Sequence, residues 1–363
     1  MKLTAIQAKV IKGERISRAE GLKLFREADL LDLAEMANLV RFRRNPSPCV
    51  TFVVDSNPNY TNICENDCAF CAFYRHGDAK DAYTATVSGM IRNFQAAAGQ
   101  GVTTILLQGG VNAQLPFDYF LEMVARTVAE VPSVHPHFYS APEIIGMSRL
   151  SGLSVHDVLQ QLWDVGLRTL PGGGAEVLSD RVKKKISPRK GNTADWLAVM
   201  RAAHRIGYKS TATMMYGHLE REEDILAHLE SIRHLQDEYG GFTAFVPWSF
   251  KPDNSPLGKA IPHRATPTSY LRIIALARIY LDNFPHVQSS WFSEGKKIGQ
   301  IALYFGADDF GGTLLEENVH AAANYLSQTS TGECINMIHA AGFDAAERNT
   351  FYEIRKKFPR EVG

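Results

Sequence analysis

Three of the five cysteines in this 363-residue chain, Cys64, Cys68 and Cys71, fall within the stretch Tyr60-Thr61-Asn62-Ile63-Cys64-Glu65-Asn66-Asp67-Cys68-Ala69-Phe70-Cys71-Ala72-Phe73-Tyr74-Arg75. The spacing is C-x3-C-x2-C, which lets one short loop turn three thiolates toward a common centre. Thiolates are soft ligands suited to zinc or to iron–sulfur chemistry. The polar run Glu65, Asn66, Asp67 between the first two cysteines argues against a segment packed in a core. Three metal readings follow. A structural zinc would take His76, Cys49 or Cys334 as fourth ligand, and an electron-transfer cluster would find a fourth cysteine elsewhere. A cubane held by three cysteines would keep one iron open to a small molecule, and an open position implies chemistry.

Other residues with chemical potential sit where apolar runs end. Gly109 and Gly110 close the run Ile105-Leu106-Leu107-Gln108, where glycine allows a ligand to approach the backbone, although an ordinary turn explains them as well. Glu143 follows Pro142 and reads either as a helix N-terminal acid favoured by the dipole or as a contact to hydroxyls. Gly172, Gly173 and Gly174 precede Ala175-Glu176, and such a run weakens regular structure and frees backbone N–H groups for an oxyanion or a sugar. Arg189 is a candidate counter-charge. Thr213, Tyr216 and His218 lie along or just past one strand, with His218 a candidate for proton transfer. Trp248 offers a platform for a planar group, Ser290 takes the equivalent place one unit later, and Asp308 and Asp309 form an acidic pair between glycines. Glu176, His218 and Asp309 are the candidate bases.

These residues need a scaffold that brings strand ends together. Ser17-Arg18-Ala19-Glu20 starts like a capped helix, and Leu30 to Val40 has helical spacing, so residues 1–50 read as a helical extension with Arg41, Arg43 and Arg44 facing solvent. From Thr51 a strand, a polar or glycine-rich end and a helix recur about eight times, with the last strand placed at Ile301–Phe305. That recurrence, with no G-x-G-x-x-G after the first strand, favours an α/β fold of the (β/α)8 TIM-type barrel class over a doubly wound sheet, closed or partly open, across residues 51–312. Residues 313–363 read as a helical segment packed on it, with helices over Leu314–Leu326 and Glu333–Ala341.

Composition narrows the partners. Lys+Arg and Asp+Glu both number 39, so the formal charge is zero and nothing favours nucleic acid or an anionic membrane as partner. An odd cysteine count with no secretory leader points to a reducing, cytoplasmic compartment. A monomer or homodimer is expected.

The cysteine loop, with an aromatic before its last cysteine and more after it, resembles the signature of the radical S-adenosylmethionine enzymes. With Ile105–Gly110, Gly172–Glu176, Thr211–His218 and Tyr304–Asn318, most of the chain is similar to the futalosine-pathway branch of that family. The resemblance implies a [4Fe-4S] cluster on Cys64, Cys68 and Cys71 and S-adenosyl-L-methionine chelated to its fourth iron. It implies cofactor contacts from Phe70, Phe73, Tyr74, Gln108, Gly109, Gly110 and Glu143. Substrate contacts would come from Gly172, Gly173, Gly174, Arg189, Thr213, Tyr216, Trp248, Ser290 and Asp308. It further implies a nucleoside-derived substrate and a reducing electron donor such as flavodoxin or ferredoxin. Ile186-Ser187-Pro188, Ala212–His218 and Gly240–Trp248 lean toward the members that cyclise a ribose onto an attached benzoate in menaquinone biosynthesis. Siblings instead join a radical to an enolpyruvyl benzoate or build a deazaflavin.

Overall fold

The computed structural model describes residues 2–361. Strand β1 (Cys49–Val53) runs through Val54 into β2 (Asp55–Ser56). The following strands are β3 (Thr104–Leu107), β4 (His135–Phe138), β5 (Thr169–Leu170), β6 (Lys209–Tyr216), β7 (Phe242–Ser249) and β8 (His286–Val287). From β2 to β8 they pair in chain order as one parallel sheet. β9 (Asp309–Gly312) pairs in parallel with β1, and Gln288, just past β8, bridges to Asp309. Because β1 and β2 are two parts of one stave, these contacts close the ring as a (β/α)8 barrel. All-parallel staves need both faces covered. Thr104, Leu106, His137, Thr211 and Thr213 face the interior, and the alternate residues Ile105, Leu107, Phe138 and Met214 are buried beneath the amphipathic helices that cover the outside. One of these, Val155–Asp164, buries Val158, Leu159 and Leu162 at helical spacing and is capped by Ser154.

Three helices precede the barrel, Leu3–Lys12, Arg18–Glu27 and Leu30–Arg44. Ser17 and Glu20 form the expected capping box. The third helix packs against Pro267–Tyr280, and it corrects one expectation: Arg41 is fully buried, lying over Phe42 and Phe343 and donating to the Cys49 carbonyl.

The chain beyond β9 differs from the helical segment expected there. Leu314 has a left-handed φ of 50°, which no helix tolerates, so only Val319–Ala322 is helical in the stretch expected to be one long helix. Helix Thr331–Ala340 follows, and then a hairpin of β10 (Asp344–Arg348) and β11 (Ile354–Phe358). β10 pairs with β1 from Cys49 to Phe52, while only β2 reaches β3, so the hairpin wedges between staves at the amino end of the barrel. There Thr350 Oγ1 meets Thr104 Oγ1 at 2.9 Å, Phe351 packs edge-on to His135, and Tyr352 stacks on His286 at 4.0 Å. The hairpin thus forms the barrel floor.

The last stave also lies elsewhere than Ile301–Phe305. That run belongs to helix Lys296–Ala302 and a 3-10 turn, Leu303–Phe305; short apolar runs fit either state. The true strand is Asp309-Phe310-Gly311-Gly312, buried throughout, whose two glycines and acid disguise it. Asp308 and Asp309 therefore stand at the amino end of a strand, opposite the barrel mouth. Among the described residues no helix is long and apolar enough to cross a membrane.

Candidate active site

The cysteine loop follows β2 and is clamped from several sides. Cys64 N–H donates to the Arg75 carbonyl and Arg75 N–H to the Asn62 carbonyl, at 3.0 and 2.7 Å. The Arg75 Nη1 donates back to the carbonyls of Ala72, Phe73 and Tyr74, tying off the turn that carries Cys71. Glu65 N–H reaches the Val111 carbonyl, Ala69 N–H the Ile186 carbonyl, and Leu257 N–H the Ala69 carbonyl. Three other segments, the stretch after β3, the end of helix Asp180–Ile186 and helix Pro256–Ala260, thus hold the loop, and Asp67 takes a left-handed φ of 37° to make the bend. Replacing Arg75 with Gln is expected to leave the barrel folded but weaken cluster retention, roughly 10–100-fold in affinity as for other residues that support ligands. Iron content after gel filtration against a chelator measures this.

All three cysteines line one cavity of about 340 Å³, the size of a small-molecule site. Burial pushes the Cys68 thiol up to about 12, a shift that neighbouring Lys190 opposes. Thiolates here need a strongly positive centre, and a coordinating metal deprotonates its thiols. The donor set and its place facing a cavity therefore fit an iron–sulfur cluster with an exposed iron. Among the described residues no three His, Cys, Asp or Glu side chains converge on a single-ion site.

Phe70, Phe73 and Tyr74 line the cavity from the loop, and Gln108, Gly109 and Gly110 line it from the end of β3. A Cβ on Gly110 would lie 2.1 Å from the Ile63 carbonyl oxygen, and one on Gly109 would lie 2.6 Å from the Tyr60 ring. Close approach of the strand end to the loop demands glycine at both. Glu143 also lines the cavity but is spent on structure. Its Oε1 accepts from Tyr60 Oη and Gly109 N, and its Oε2 from Ser140 N and Oγ, closing a capping box on helix Ala141–Ser151. Glu143 thus pins the glycine end of β3, as the helix N-terminal acid reading has it.

Gly173, Gly174, Glu176 and Thr213 line the opposite wall. Glu176 is buried at a left-handed φ of 45°, a strained placement for a side chain of this kind. Its Oε1 accepts from Lys190 at 2.8 Å, and Lys183 lies 3.7 Å from Oε2. Burial would raise this carboxyl, but Lys190 and Lys183 outweigh it and hold the pKa below the usual value. At Lys190 burial would lower the pKa; Glu176 and the Cys68 thiol reverse that and hold it above the usual lysine range. Lys190 Nζ lies 5.3 Å from the Phe70 ring centroid, so a held cation faces the cavity beside the cysteines. Nothing in the basic run around it distinguishes Lys190 in the sequence from its neighbour Arg189.

Trp248, Phe292 and His320 form an aromatic group on the cavity. His320 stacks on Phe292 at 5.5 Å and lies 5.7 Å from Trp248. Burial, helped by Lys251, lowers the His320 pKa to about 3, so its ring is neutral. The segment from Thr313 that carries His320 is held over the barrel by Asn57 N–H to the Glu316 carbonyl and Asn318 Nδ2 to Asn59 Oδ1. Glu317 in it accepts from the Val319 and His320 amides.

Several residues singled out in the sequence lie off the cavity, which corrects their assigned roles. The His218 side chain is fully buried, with Nδ1 taking the Leu219 amide and Nε2 on the Met215 carbonyl, so it has no path to a ligand's proton. Asp308 is occupied by Arg278, His286, Asn45 and the Val287 amide. Asp309 is gripped by Arg348 at 2.5 Å and by Thr51 at 2.6 Å. Both follow from the misplaced strand: they are floor residues. Tyr216 packs against Tyr270 of the outer helix Pro267–Tyr280, and Ser290 is buried with its amide donating to Tyr270 Oη. Gly172 is backed onto β6, donating to Thr211 Oγ1 and accepting from Thr213 Oγ1. Arg189 is exposed and reaches Asp67 at 3.1 Å, bracing the cysteine loop from outside instead of meeting a substrate.

A model of the radical SAM superfamily matches residues 58–232, and one described as the CofH/MqnC C-terminal region matches residues 239–361. The chain is 36% identical over 358 residues to a cyclic dehypoxanthine futalosine synthase of Halalkalibacterium halodurans, covering 99% of this chain and 96% of that protein. It is 37% identical to an aminodeoxyfutalosine synthase of Thermus thermophilus, covering 98% and 96%. To a 5-amino-6-(D-ribitylamino)uracil–L-tyrosine 4-hydroxyphenyl transferase of Methanopyrus kandleri it is 40% identical, covering 84% of each. Among solved structures, methylornithine synthase superposes with a TM-score of 0.72 at 17% identity, over 93% of this chain and 96% of that one, a likeness of fold.

Proposed function

The chain belongs to the radical SAM superfamily, in the branch that carries the CofH/MqnC C-terminal region, and from that premise we propose that it cyclises dehypoxanthine futalosine. The observation that carries this reading is one cavity lined at once by the three cysteines, the glycine end of β3, a buried cation and an aromatic group. Cys64, Cys68 and Cys71 would hold a [4Fe-4S] cluster. Bound together, the cluster and S-adenosyl-L-methionine would supply a 5'-deoxyadenosyl radical able to take the C4' hydrogen of the substrate ribose. That chemistry belongs to the cofactors; the protein orients and shields.

Gly109 and Gly110 line the cavity as the backbone wall against which the methionyl amino group would sit, and Lys190 would meet its carboxylate, a charge-assisted contact. Glu176, paired with Lys190 and Lys183, would hold the Lys190 ammonium in place at the cavity wall. Trp248, Phe292 and His320 would sandwich the benzoate ring so that it stays near C4'. The segment from Thr313 to His320 would shield the chamber from solvent and from alternative hydrogen donors. The electron that starts the reaction would come from a flavodoxin or ferredoxin.

The relative from Thermus favours a second reading, in which a radical adds to an enolpyruvyl benzoate. The reconstituted, reduced protein with S-adenosyl-L-methionine separates the two. Dehypoxanthine futalosine is expected to stimulate 5'-deoxyadenosine release and to yield a product two hydrogens lighter. Release stimulated by the enolpyruvyl benzoate alone would transfer the assignment to the second reading.

A further inference from the structure

We propose that Asp55 is the proton acceptor that completes ring closure, a role that rests on the cyclisation reading. After the ribose radical has attacked the ring, one carbon carries both its hydrogen and the new C–C bond. Aromaticity returns when that C–H bond breaks. The proton goes to an Asp55 carboxylate oxygen, and the remaining electron would pass to a one-electron acceptor of the iron–sulfur class, the oxidised cluster that Cys64, Cys68 and Cys71 would hold. The first electron is thereby returned and no external oxidant is consumed.

The geometry isolates Asp55 among the acids of the site. It stands on β2, at the carboxyl end of the first stave, and lines the cavity. The Leu314 amide donates to Oδ1 at 2.8 Å, and among the described residues no other residue donates to the carboxylate. The other acids are committed. Glu143 takes four donors, Glu176 sits between two lysines, and Glu317 accepts two backbone amides. A Cβ on Gly312 would lie 2.1 Å from both Asp55 oxygens, so the barrel wall is cut away by a glycine where this carboxylate stands. The groups facing Asp55 from neighbouring elements are Asp309 on β9, Arg348 on β10 and the Cys334 thiol on helix Thr331–Ala340. Burial foremost raises the Asp55 carboxyl to about 6; Asp309 adds to this, while the Leu314 amide and Arg348 oppose it. A base of that strength is ionised at neutral pH and still accepts a proton readily.

The test compares Asp55→Asn with the parent, both as reconstituted holoenzyme. In the parent, cyclised product and 5'-deoxyadenosine form in near-equal amounts. In the variant, 5'-deoxyadenosine is expected to stay within about 3-fold while product falls on the order of 100-fold, the lower range for loss of a general base. Calorimetry on the cluster-free chain is expected to show substrate affinity within about 3-fold of the parent. Acetate added to Asp55→Ala should restore part of the product, and Asp55→Glu should restore more. The parent's product ratio should fall as pH drops through about 6, a dependence absent in Asp55→Asn. A variant that keeps a parental ratio, or one whose lost product neither acetate nor Glu restores, overturns the proposal. A parent that consumes no dehypoxanthine futalosine overturns the cyclase reading instead.

Discussion

Cys68→Ala is expected to lose the cluster and with it all turnover. Cys68 is the middle ligand and the deepest, 6% exposed and flanked by the Ala69 contacts to Ile186 and Leu257. No residue nearby can substitute for it, because the buried acid of this wall, Glu176, is already paired with Lys190 and Lys183. Two cysteines leave a second iron without a protein ligand, and the cubane has no stable way to stay bound. The chain should remain folded, since alanine fills most of the thiol's space and the barrel core is remote from the loop. Iron and sulfide per chain, the visible absorbance near the cluster bands, and 5'-deoxyadenosine release should all fall to background while far-ultraviolet circular dichroism is unchanged. Retained turnover would reject the cluster assignment.

The second large effect is on stability. Arg278 and Asp308 are 1% and 3% exposed in their side chains and form a buried ion pair between helix Pro267–Tyr280 and the start of β9. Burial alone would raise the Asp308 carboxyl. Arg278 foremost, then His286 and the Val287 amide, outweigh it and hold the pKa well below the usual range. Arg278→Met leaves that carboxylate buried without its main counter-charge, a loss of roughly 3–5 kcal/mol at neutral pH. A depressed acid stabilises the fold above its unfolded pKa of about 3.9 and ceases to as pH falls toward its folded value. The gap between parent and variant should therefore shrink below that point by about 1.4 kcal/mol per pH unit. Urea midpoints at pH 7 and pH 3 measure both numbers, and a gap that widens in acid would reject this account.

How legible such features are in a sequence depends on how local they are. The cysteine spacing, the Gly-Gly strand end, the Ser17 cap and Glu143 as a helix N-terminal acid are carried by neighbouring residues, and the recurring strand and helix units show the barrel class. The last stave is misread because Ile301–Phe305 has the apolar density of a strand, whereas Asp309–Gly312 is buried only because β1 and the end of β8 enclose it. That one displacement moves Asp308 and Asp309 from floor to mouth and turns two structural acids into apparent catalysts. Asp55, Lys190 and His320 escape notice for the opposite reason. Each gains its character from partners brought by distant segments, such as Leu314 for Asp55 and Glu176 for Lys190. Arg41 shows the same limit: a basic run looks solvated until Phe343 arrives to cover it.

The hairpin under the barrel also sets an order of assembly. The Thr104–Thr350 contact across the floor joins positions separated by 246 residues, and such distant pairing is slow to form. During synthesis the cysteine loop is complete long before the hairpin that seals the chamber beneath it exists. Until that late segment docks, the chamber that the three thiols line has no floor. Insertion of β10 beside β1 then closes that end. The earliest and latest strands of the barrel thus meet at the step that makes a radical safe to generate.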